Sequence, residues 1–309
     1  MASNTRGICP PDYEKPLLQV LWETATHIVS HDRSSLMMYS YFSPRESRLS
    51  DPSCPSWVPD FTDGGQLPTL KTHRSIVSSL QPDIPTEVEV IDDYRTLQIS
   101  AWRLGPCYVA FRFADSLPAI LRQVVGLFDL SVDGLERDSP WNKIQDLSMW
   151  RDGFARSCFN SQIVLRRMTI GQICHTIDHL LAVLAGRETI NSLLLDPAFG
   201  IIAQVAEWLA DRAILILPPL SCFCLSTCDV EDGDLVVAAP AFNTPLVLRP
   251  ETTVVGIGDG KEHYKMVHYA YVDGTVSSVA VHISAPVQRF HEELVEQVRA
   301  QGPQQFLIH

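Results

Sequence analysis

Apolar positions along this chain follow two periods, and each predicts its own kind of element. Over residues 12–30, Leu17, Leu18, Leu21, Trp22, Ala25, Ile28 and Val29 recur at intervals of three and four. That spacing places them on one stripe of an α-helix, and Pro16 suits its first turn, where no N–H is needed. The helix should end near His31, with a second short apolar stretch over 36–41. Residues 86–113 change character. Val88, Val90, Ile91, Leu97, Ile99, Trp102, Tyr108, Ala110 and Phe111 form short runs, divided at Asp92 with Asp93 and at Gly105 with Pro106. Two or three strands are expected there.

Helical spacing returns over 117–130, 141–159, 170–184 (closed by Gly186) and 198–212. A second strand-rich region follows, with candidates at 213–217, 222–225, 235–239, 246–249 and 264–272. Its turns fall at Pro218 with Pro219, Asp232 with Gly233, 243–245, and Asp273 with Gly274. Residues 287–298 predict a terminal amphipathic helix. The expected class is α+β, with helices between two β-rich segments and the C-terminal one a small antiparallel sheet or barrel.

Between the first helix and the first strands, residues 43–70 are rich in Pro, Ser and Asp. Within them lies Cys-Pro-Ser-Trp-Val-Pro-Asp-Phe at 54–61. Pro55 and Pro59 force their neighbours into an extended path, and Trp57 between them is expected to anchor that path to a core. Residues 62–83 predict a loop or linker.

Composition narrows the functional classes. The chain has 309 residues, 46% hydrophobic and 19% charged, enough apolar mass for a sizeable core. Its net charge of -12 disfavours a phosphate backbone as partner, so no nucleic acid is expected. The most apolar window, 213–225, is broken by Pro218 and Pro219 and is too short for a membrane span. The start of the chain carries no apolar stretch behind a basic one. The eight cysteines show no disulfide-framework spacing, so reduced thiols and a cytoplasmic location are expected.

Candidate chemistry is sparse. His175 and His179 lie one helical turn apart with Asp178 between them, a spacing that suits proton transfer; these three are the best catalytic candidates. The competing reading is a polar helix face opposite Ile173, Ile177, Leu180 and Leu181. Cys222, Cys224 and Cys228 offer three thiols, but alternation along a strand favours packing over zinc, and no metal is expected. Gly256, Gly258 and Gly260 lack the helix that a dinucleotide fingerprint requires, and no Gly-x-Ser-x-Gly elbow occurs. No cofactor is expected.

Three segments, in order, carry a resemblance. Pro11-Asp12-Tyr13-Glu14-Lys15-Pro16 resembles a "PDYSKP" element, and Pro55-Ser56-Trp57-Val58-Pro59-Asp60-Phe61 is similar to "PSWVPDW". The stretch 224–236, with Gly233 and Asp234, resembles "GLGP…V.PGD.V". It is followed by Pro245-Leu246-Val247-Leu248-Arg249 and Tyr271-Val272-Asp273-Gly274, similar to "P.VLR" and "YVHG". These are elements of fungal heterokaryon-incompatibility (HET) family proteins. The resemblance marks Trp57, Pro59, Asp60, Gly233, Asp234, Arg249, Tyr271 and Gly274 as motif positions. It implies that 1–70 corresponds to the end of a HET domain and 84–309 to an α+β C-terminal domain. The family's N-terminal signatures are not found, so none of that domain's functional residues carries over. The glycines expected near Cys224 and Ser226 are replaced, and the family's "GxMDGE" ending gives way to residues 274–279. The implied function is that of a truncated HET-family-like interaction or regulatory module, with another HET-family protein as partner. The alternative is a cofactor-free enzyme, a cyclase or isomerase of a fungal specialised-metabolite pathway, acting on a small apolar metabolite.

Overall fold

The computed structural model describes residues 14–31, 54–59, 88–91, 95–114, 170–184, 186–189, 212–218, 222–242, 244–251, 262–272 and 285–309. Ser116, Ala119, Ile120, Gln123, Asn191, Gly200, Leu209 and Ala210 are also described. The expected helix over 141–159 lies outside these residues, as does most of that over 117–130.

Helix α1 (Leu17–His31) is followed by β1 (Val88–Ile91), β2 (Thr96–Pro106) and β3 (Tyr108–Arg112). Helix α2 (Ile170–Leu184) precedes β4 (Arg212–Leu217), β5 (Cys222–Thr227), β6 (Leu235–Ala238) and β7 (Leu246–Pro250). Then come β8 (His263–Tyr269), β9 (Tyr271–Val272), α3 (Ala285–Gln301) and β10 (Gln304–Ile308).

The strands do not sort by sequence region, and this corrects the expected α+β class. The described part is mostly β: a closed five-stranded barrel, β2-β10-β8-β7-β6 and back to β2, with β1 added on β2. A second sheet orders β3-β4-β5-β9. Both sheets therefore mix strands from the two sequence regions, rather than leaving helices between two separate β segments. Only three helices, of 15, 15 and 17 residues, stand among the described elements.

The length and bend of β2 explain the closure. Its first half pairs with β10, from Leu97 opposite Ile308 to Ala101 opposite Gln304. Its second half pairs with β6, from Trp102 opposite Ala238 to Pro106 opposite Leu235, with a register shift between Arg103 and Gly105. Gly105 has φ 134°, which a side chain would resist, so the predicted turn at Gly105 is a bulge inside one strand. The change of partner comes just before it, between Ala101 and Trp102, and the bulge lies within the pairing with β6.

Alternation divides the apolar side chains between two cores. Leu97, Ile99, Leu235, Val237, Leu246, Leu248, Tyr264, Met266, Phe306 and Ile308 point into the barrel core. Leu21, Ala25 and Val29 of α1 join them, as do Cys54, Trp57 and Val58. Trp102, Leu104, Val236, Ala238 and Val247 face outward to a second core. There they meet Ala213, Leu215, Leu217, Cys222 and Cys224 of the second sheet and Leu294, Val295 and Val298 of α3.

Three smaller expectations also change. Arg212, placed at the end of a helix over 198–212, opens β4 and is buried. The single strand expected over 264–272 is two strands in different sheets, parted at Ala270, whose N–H donates to the Pro245 carbonyl (2.8 Å). Strand β10 was not anticipated. Among the described residues, no helix is long and apolar enough to cross a membrane.

Candidate functional site

Four of the motif positions, Gly233, Asp234, Arg249 and Trp57, fall into two constellations. The first surrounds Arg249 on β7. Its Nε donates to Asp234 Oδ1 and its Nη2 to Asp234 Oδ2, each at 2.9 Å, a bidentate pair. Nη1 donates to Glu231 Oε1 (2.9 Å) and Nη2 also to the Asp229 carbonyl (2.7 Å). Asp234 Oδ2 further accepts the Glu231 N–H (2.9 Å), which folds the loop onto the carboxylate. Gly233 makes the turn possible with φ 92°, a region other residues avoid. Its N–H donates to the Cys107 carbonyl (2.9 Å), while the Cys107 N–H donates to the Asp234 carbonyl (2.8 Å). Gly233, Asp234 and Arg249 thus form one brace, tying the β5–β6 loop to β7 and to the β2–β3 junction. The Asp234 carboxylate, with Glu231, raises the Arg249 pKa further above its usual value. Burial, helped by Asp234, pushes the Cys107 thiol up to about 12, which keeps it protonated and unreactive.

The second constellation centres on His309. Trp57 is 1% exposed and its Nε1 donates to the Arg95 carbonyl (3.3 Å). Beside it, the Ser56 N–H donates to the His309 carbonyl (2.8 Å), and the Ser56 hydroxyl donates to the same oxygen. Ser56 Oγ in turn accepts the Met266 N–H of β8 (2.8 Å). The His309 N–H donates to the Tyr264 carbonyl (2.9 Å). The His309 ring lies between two partners: Nδ1 is 3.1 Å from Thr96 Oγ1, and Nε2 is 2.5 Å from His263 Nδ1. The two rings meet edge to edge, with centroids 4.8 Å apart and planes 26° from parallel. On the barrel-core side of β8 the Tyr264 hydroxyl donates to Glu262; burial first, then that carboxylate, push the tyrosine up to about 12.

Thr96, His309 and His263 stand in the order hydroxyl, base and orienting group that an activated nucleophile uses. Thr96 is 1% exposed, however, and lies in the β2–β10 ladder, so a reacting carbonyl has no approach to its oxygen. The arrangement fastens three chain segments together.

The candidates on α2 take no part in either constellation. His175 and Asp178 are exposed, and His179 pairs its Nε2 with Glu188 Oε2 at 2.5 Å. The buried side of the helix carries Thr176 and Leu180, and the Thr176 hydroxyl donates to the Gln172 carbonyl (3.0 Å). Gly186, at φ 68°, closes the helix as its N–H donates to the Val183 carbonyl (3.0 Å). Pro59 and Tyr271 are buried, while Asp60 and Gly274 lie outside the described residues. Cys222 and Cys224 are buried free thiols of the second core; burial raises Cys224 well above the usual thiol range. Among the described residues, no group of three or more His, Cys, Asp or Glu is placed to hold a metal.

Sequence reasoning missed Ser56, Thr96, Glu231, His263 and His309. Ser56 and Glu231 lay inside recognised motifs and signalled nothing by themselves. Thr96, His263 and His309 lie in no motif. The chain matches no protein-family model, no curated protein and no solved structure. The HET-family resemblance therefore rests on the motif residues named above.

Proposed function

We propose that the chain is an interaction or regulatory module of the HET-family type, acting in the fungal cytoplasm on another HET-family protein. The observation that carries this reading is the brace. Gly233, Asp234 and Arg249 come together to fix a loop, and Trp57 is a core plug. Residues used in this way preserve a shape, and a preserved shape is what a binding module offers a partner. Cys54, Cys107, Cys222, Cys224 and Cys228 are free thiols, in keeping with a reducing compartment.

The test is titration calorimetry of the full chain against a full-length HET-family protein. Saturable binding with a Kd of about 1 μM or tighter is expected. Absence of binding across such proteins, together with turnover of a small apolar metabolite, would overturn the reading in favour of a cofactor-free enzyme. One specific observation favours that second reading: the imidazole pair His263 and His309, a ready acid–base couple. It requires that turnover be lost in His263→Asn and His309→Asn.

A further inference from the structure

We draw no further inference here: the strongest candidate, the pair of buried side-chain atoms His268 Nε2 on β8 and Thr227 Oγ1 on β5 that have no hydrogen-bond partner, belongs to two different sheets, and nothing in the structure brings the two atoms to one site or shows what would meet them.

Discussion

The Arg249 brace and the clasp that His309 forms with Ser56, Thr96 and His263 fasten the same barrel at different places and by different chemistry. Arg249 reaches back 20 positions at most, to Asp229, and its main partner Asp234 is 15 away. His309 reaches 253 positions back to Ser56 and 213 to Thr96. The brace joins a guanidinium to carboxylates, groups that stay charged across the neutral range. The clasp joins two imidazoles, a threonine hydroxyl and backbone groups through hydrogen bonds. A short-range ionic brace sets one loop once and for all. A long-range hydrogen-bonded clasp fastens the end of β10 to segments far away in sequence.

The sharpest way to break the clasp side is Trp57→Ala. The ring fills the barrel core beside Cys54 and Val58, and its loss should cost about 3–5 kcal/mol in urea unfolding. Asp234→Ala breaks the brace side. The Asp234 side chain is 3% exposed, but Arg249 is 32% exposed and regains water, so a cost of about 2 kcal/mol is expected, below that of a fully buried pair. If the two costs come out reversed, the barrel depends on the loop more than on its seam.

A third change tests pH dependence. Burial, and then the charge of Arg212, lower His268 to about 3. The folded state therefore stays unprotonated there while the unfolded chain takes up a proton below about 6.5. Stability from this site is full above that value, falls as the pH drops, and has nothing more to lose below about 3. His268→Phe should reduce the pH slope of the unfolding free energy by up to about one proton between those limits. The smallest effect belongs to His179→Ala. Its Glu188 partner is 48% exposed, so a change below about 0.5 kcal/mol is expected, with neither seam altered.

The same contrast explains what could be read in advance. Helix α1, the strands over 88–112 and the terminal helix were legible because their periodicity is local. The Gly233–Asp234 turn and Arg249 were legible as pattern, although nothing in the pattern said that they touch. Strand β10 was not. It is five residues long, begins with two glutamines and follows Gly302 and Pro303, so it offers only a three-residue apolar run. Its pairing with β2 spans more than half the chain, a distance over which side-chain pattern carries no register. Without β10 the barrel has no closing strand, and an α+β reading followed naturally. The helical spacing expected over 198–212 also ran into Arg212, which opens β4, because an apolar run fully buried on both faces has no period to betray it.

Cross-strand amide contacts of β10, measured by NMR on perdeuterated protein, bear on the closed barrel most directly. The account predicts contacts from Phe306 to Ile99 on one side and from Leu307 to His263 on the other, with slow exchange of both amides. Fast-exchanging β10 amides with no contact to either strand would contradict it.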